Sequence, residues 1–129
     1  MQKKPGASAG GVPFDIKDRT FQFGVRTVRL ANRLPPTVAG TEIARQIIRA
    51  GTSIGSNMQE ADAAVSKRDL VNGVRISRKE AREVRYWLSI IQAVPLLEDP
   101  EVGTMIQESS ELVRILSGII RSATGQSTR

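Results

Sequence analysis

Apolar residues recur along this chain at steps of three and four, the period of a helix that packs one face on a core, and four stretches carry that period. The clearest is Gln46–Ala61, in which Ile47, Ala50, Ile54, Met58 and Ala61 form one stripe. Ala44, Gly51 and Gly55 run beside it and are small enough to let another backbone come close. A polar stripe, Gln46, Arg49, Ser53, Asn57 and Glu60, lies on another side of the same helix. The two interior glycines cost about 1 kcal/mol each against alanine, so close packing is expected to offset them.

The remaining stretches follow in order. The first helix is expected to begin near Asp15 or Asp18 and to run to about Leu34, where Pro35–Pro36 stops it. Its expected apolar face is Phe21, Val25, Val28, Ala31 and Leu34, flanked by Phe23 and Leu30. The second helix, capped at Thr37 or Thr41, extends to about Ala64. Ser66 is the expected N-cap of the third, with Asp69 three residues on, near the positive end of the helix dipole. The third carries a heptad seam, Leu70, Val74, Ser77, Ala81, Val84, Leu88 and Ile91, and a second stripe of Ile76, Trp87, Ile90 and Val94. Pro95 ends it. The fourth opens on Pro100, tolerated in a first turn, and Gly125 closes it. Four amphipathic helices, short connections and no strand pattern predict an all-α fold, an antiparallel up-down four-helix bundle spanning 14–124. Residues 1–13 and 125–129 are expected to be tails.

Composition narrows the chemistry. The 129 residues are enough for one core and not two. Neither cysteine nor histidine occurs, which removes disulfides, thiol catalysis and conventional zinc sites. The N-terminal stretch lacks the apolar run of a signal peptide and no segment is long and apolar enough to span a bilayer, so a cytoplasmic location without membrane contact is expected. Glu80 and Glu83 supply half of a di-iron ligand pattern without its histidines. No catalytic residue, metal or cofactor is therefore assigned. Arg49, Ser53, Asn57, Glu60, Glu80 and Glu83 read instead as an interhelical polar network that fixes register.

The net charge of +6 is uneven: residues 1–97 carry +8 and residues 98–129 carry −2. Arg26, Arg29 and Arg33 share a face of the first helix, and Arg75, Arg78, Arg82 and Arg85 form a stripe on the third with Lys79 alongside. Like charges at i, i+4 oppose helix formation slightly, so a track for phosphates is one reading of these eight residues. The other is a solvated face, or salt bridges to the acids of helix four in the same or a neighbouring subunit. No aromatic interleaves with the arginines in sequence, so base stacking is not expected. The function expected is non-enzymatic binding of RNA or DNA through basic faces, with a homo-oligomeric protein-binding scaffold as the alternative.

The runs RQIIRAGTSIGSNMQEA (45–61), SKRDL (66–70) and KEAREVRYWL (79–88) resemble a bacterial four-helix-bundle family that includes proteins encoded in the intervening sequences of large-subunit ribosomal RNA genes. The likeness extends from about Phe14 to Ser122, with Met58–Gln59 standing where an aromatic and a basic residue are expected and Leu70 where Phe is expected. The resemblance implies a ring-like homo-oligomer, a pentamer. A distant relative, the accessory protein of diversity-generating retroelements, implies nucleic acid and a reverse transcriptase as partners.

Overall fold

A computed structural model describes residues 11–125, and these form four helices: α1 (Phe14–Ala31), α2 (Val38–Asp62), α3 (Lys67–Ala93) and α4 (Pro100–Thr124). Most of the expected punctuation is in place. The Thr37 hydroxyl accepts the Gly40 N–H at the head of α2, Ser66 accepts from Asp69 N–H at the head of α3, and Asp99 accepts from Glu101 N–H beside the N-terminal proline of α4. Gly125, at φ 71°, ends α4 in the left-handed conformation that glycine adopts most readily. α1 stops three residues earlier than expected, and Asn32–Leu34 leave it through a tight turn in which Arg33 and Leu34 N–H bond to Leu30 and Ala31 carbonyls.

Cross-helix partners run in opposite senses, so each neighbour is antiparallel. Gly51 faces Thr27 while Gly55 faces Thr20; Ile54 meets Ser77 while Ala61 meets Gly73; Arg78 reaches Ser117 while Arg85 reaches Ser110. This is the up-down bundle, all-α among the described residues. Its core takes Ile47, Ala50, Ile54, Met58 and Ala61 from α2 as expected, and from α3 Val74, Ser77, Ala81, Val84, Leu88 and Ile91. At the head of α3 it is Val71 that is buried, while Leu70 is only half-buried. Val102, Met105, Ser109, Leu112, Leu116 and Ile120 complete the core from α4.

α1 differs from expectation. Its inward face is Ile16, Thr20, Phe23, Gly24, Thr27, Leu30 and Ala31; Phe21 is 57 % exposed and Val25 and Val28 are half-buried. Two threonines take the place of aliphatic residues on the inward face because their hydroxyls are satisfied within the helix, Thr20 donating to the Lys17 carbonyl and Thr27 to that of Phe23. What selects this phase is the α2 surface opposite. A Cβ on Gly51 would lie 2.5 Å from Thr27 Cγ2, and one on Gly55 would lie 3.3 Å from the Thr20 backbone. Only a slender face of α1 fits there.

The tails expected at 1–13 and 125–129 lie largely outside the described residues. Of the last three residues of the first, Val12 is buried, and its N–H bonds to Asp62 Oδ1 at 3.3 Å while Lys17 Nζ holds Oδ2 at 2.6 Å.

Gly51→Ala is expected to destabilise the protein by about 1–3 kcal/mol, the range for overpacking a filled interior, in spite of alanine's better helix propensity. Gly118→Ala, whose Cβ would meet only Arg121 at 3.7 Å, should raise stability by roughly 0.5–1 kcal/mol. Thermal unfolding of the two variants, shifting the melting temperature in opposite directions, checks this.

Candidate nucleic-acid interface

The two arginine groups meet opposite fates. Arg19 and Arg26 of α1 and Arg33 in the turn after it are spaced by seven residues and all reach acids of α4 or of its N-cap. Arg19 makes a two-pronged bond to Glu108 at 2.6 and 2.8 Å, Arg26 bonds Glu101 at 3.0 and 3.4 Å, and Arg33 meets Asp99 at 2.6 Å. Bonding to Glu108 raises the already high pKa of Arg19. The Arg33 guanidinium and the Glu101 N–H hold Asp99 below the ordinary aspartate range. Arg26 and Arg33 thus follow the alternative expected for the basic residues, salt bridges to the acids of helix four, in a ladder of ion pairs with Arg19. Arg29 alone of that group is exposed without a carboxylate among the described residues, and it lies at the edge of a groove between α1 and α2.

On α3 the arginines keep their charge uncompensated. Among the described residues, no carboxylate lies within 4.0 Å of Arg75, Arg78, Lys79, Arg82 or Arg85 by any ion pair. Arg78 and Arg85 lean over α4, donating to the Ser117 hydroxyl at 3.1 Å and the Ser110 hydroxyl at 3.2 Å. Arg75, Lys79 and Arg82 point outward and are exposed. Partial burial, then the neighbouring charges of Arg82 and Arg75, depress the Arg78 pKa. The group stays charged, and the direction reflects its partial burial together with repulsion from Arg82 and Arg75. An anion entering this stripe would relieve it.

The expected polar network is only partly assembled. Arg49 reaches Glu83 at 3.6 Å across the α2–α3 seam, and Trp87 Nε1 donates to the same carboxylate at 3.5 Å. Ser53 and Asn57 bond back along their own helix, to the carbonyls of Arg49 and Ser53. Glu60 falls outside the network because its side chain faces solvent, and it makes no hydrogen bond or ion pair among the described residues. Glu80 lies in the seam with Oε1 buried and unpartnered among the described residues. Burial first and the Glu83 charge second push its carboxyl above the ordinary glutamate range, offset only in part by Arg49 and Lys79. Among the described residues no group of three or more acidic, histidine or cysteine side chains is placed to hold a metal ion, and no helix is long and apolar enough to cross a membrane.

A residue that sequence spacing passed over joins the α3 face. Tyr86 is one turn beyond Arg82, 59 % exposed, its ring held edge-on to Trp87 with centroids 5.4 Å apart and planes at 70°. The signal was available in the 3.6-residue period, which puts Arg75, Lys79, Arg82 and Tyr86 on one line.

The fold and this face define an up-down helical bundle with a segregated cationic surface. The chain belongs to the 23S rRNA-intervening sequence protein family, whose sequence model matches residues 13–118. It is similar to a crystal structure from Bacteroides thetaiotaomicron described as a protein of unknown function from the S23 ribosomal protein family. The two share 33 % identity over 83 % of this chain and 96 % of the other, with a TM-score of 0.75. No curated protein matches the chain.

The two unusual carboxyls act on stability with opposite signs. Asp99 has a folded pKa below its unfolded one, so its contribution is present above the ordinary aspartate value and is lost as pH falls through the folded value. Glu80 has a folded pKa above its unfolded one, so its penalty is full near neutrality and is relieved as pH falls toward the ordinary glutamate value of 4.5. Glu80→Gln should therefore raise stability at pH 7, because it removes a charge that burial and Glu83 disfavour while keeping the shape of the side chain. The gain should vanish near pH 4.5. Denaturant melts of both proteins at the two pH values check the sign.

Proposed function

We propose that this protein is a non-enzymatic nucleic-acid-binding bundle whose α3 face, Arg75, Arg78, Lys79, Arg82 and Arg85, takes phosphates. The observation that carries the reading is a contrast: Arg19, Arg26 and Arg33 each find an acid at the head of α4 or along it, and the α3 cations find none among the described residues. Neutralised arginines stabilise a fold; a row left unneutralised is a standing source of positive potential that attracts a polyanion. The guanidinium fork suits phosphate oxygens, and the Ser117 and Ser110 hydroxyls hold Arg78 and Arg85 in place before a ligand arrives. Family membership is consistent with an RNA context through the family's description alone. Under this reading a reverse transcriptase is one protein that could share the ligand.

A second reading, a homo-oligomeric scaffold, draws on the surface between α1 and α2. There Phe21, Val25 and Val28 line a groove of about 460 Å³ with Gly24 and Gly55 at its floor and Arg29 at its rim. Ile76 and Val94 are also exposed on α3 and just beyond it, while Trp87 and Ile90 of the same stripe are half-buried. Self-association, as a pentamer or otherwise, would cover such apolar surface, and a ring would bring several α3 faces together. Light scattering at micromolar concentration checks it: assembly through the groove predicts that Phe21→Glu lowers the particle mass, and a monomeric wild type ends this reading.

Phosphate binding on α3 predicts affinity that falls with salt, with a log–log slope of about −0.9 per contacted phosphate on duplex. The triple variant Arg75→Gln, Arg78→Gln, Arg82→Gln should flatten that slope by about two to three units and leave the melting temperature nearly unchanged. Arg26→Gln with Arg33→Gln should do the reverse, keeping the slope and lowering the melting temperature slightly. Fluorescence anisotropy across a salt series reads both. Absence of wild-type binding even at low salt overturns the nucleic-acid reading.

A further inference from the structure

We infer that Tyr86 is a stacking platform for an unpaired base at one end of the α3 cationic line, so that the ligand class is single-stranded nucleic acid. The inference rests on the phosphate-binding reading above and adds to it the strandedness of the ligand.

Four observations carry it. Arg75, Lys79, Arg82 and Tyr86 follow one another at steps of four, three and four, all exposed, so the phenol ring continues the line that the three cations begin. At 1.5 Å per residue this line is about 17 Å long, the reach of a few nucleotides. The ring is also pre-positioned: its edge contact with Trp87 at 5.4 Å fixes one side, and Trp87 is itself half-buried and tied to Glu83 at 3.5 Å. A fixed ring loses less freedom on stacking than a free one. Finally, the fold makes no other use of Tyr86. Its hydroxyl makes no hydrogen bond among the described residues and more than half of its surface meets solvent, whereas the partly buried Trp87 beside it packs on the core.

A duplex keeps its base faces inside its own stack and offers this ring only sugar and phosphate. A single strand offers a base face to the ring while its phosphates follow the arginines, the combination by which strand-tracking proteins bind without reading sequence. Phosphate contacts and one stacked base make a ligand that is sequence-tolerant and strand-selective.

The test uses the full chain with labelled oligothymidylate, oligouridylate and a duplex of matched length, followed by anisotropy and by the emission of Trp87, the only tryptophan. Both single strands should bind more tightly than the duplex and should quench Trp87, because a base on Tyr86 comes to rest against its neighbour. Tyr86→Ala should weaken single-strand binding about five-fold or more, abolish the quenching and leave duplex binding unchanged, while Tyr86→Phe retains both signals. Circular dichroism and melting of the two variants, expected to match wild type for an exposed position, separate loss of stacking from loss of fold. Equal effects of Tyr86→Ala on duplex and single strand, or none on either while the arginine triple variant still loses binding, overturn the stacking inference and leave the phosphate track standing. No binding of any of the three probes to the wild type overturns both.

Discussion

The partition of this protein's charge depends on where its few acids are spent. Helix four carries most of the carboxylates of the last quarter of the chain, and the antiparallel topology sets that helix beside α1, whose arginines recur every seven residues. Each of these arginines reaches an acid in turn, and Glu108, Glu101 and the helix-capping Asp99 are taken up in one seam. Each such pair contributes little to stability at an exposed edge, about 0–1 kcal/mol. Their larger effect is on what remains. With those acids committed to α1, α3 packs against the other side of α4 where hydroxyls, not carboxylates, await Arg78 and Arg85. The uncompensated cationic face on α3 is thus a consequence of the closure between α1 and α4, even though the two seams share no residue.

The second constraint is steric and acts on the opposite flank of α1. Where α2 presents Gly51 and Gly55, the approaching helix needs narrow side chains, and Thr20, Gly24 and Thr27 supply them. This choice rotates Phe21, Val25 and Val28 out of the core and onto the rim of the α1–α2 groove. Burying them instead would drive a large ring against the α2 backbone. The exposed apolar surface is therefore what remains after a tight helix pair has formed, before any partner is invoked, and a single exposed aromatic of this kind needs no further cause. That distinction weakens apolar exposure as an argument for assembly and leaves the arginine stripe, which no packing constraint explains, as the stronger functional signal.

These constraints also mark what could be read in advance. The caps at Thr37 and Ser66, the proline at the head of α4, Gly125 and the seams of α2 and α3 were legible because each depends on local chemistry or on a period within one helix. The face of α1 was not, since a threonine counts as polar until its hydroxyl is seen bonded to a carbonyl three or four residues back. Pairing of Arg26 and Arg33 likewise depends on the register between two helices some seventy residues apart, which no pattern within either one specifies. Glu60 belongs to the polar stripe in sequence, but its side chain is exposed even though α2 stays in contact with α3 as far as Ala61.

Glu80 shows how far polar satisfaction is kept away from the α3 outer face. Its carboxyl is drawn into the α2–α3 seam beside Glu83, leaving one buried oxygen without a partner among the described residues. Arg49 is engaged by Glu83 across that seam. An arrangement optimised for stability alone could turn one of these acids outward to pair with Lys79 or Arg82, each within a turn of them in sequence. Both acids instead sit inward, one at an energetic cost, and the outward line stays free of negative charge. A surface kept cationic while a carboxylate is under-satisfied one helical face away is a feature that local stability alone does not account for.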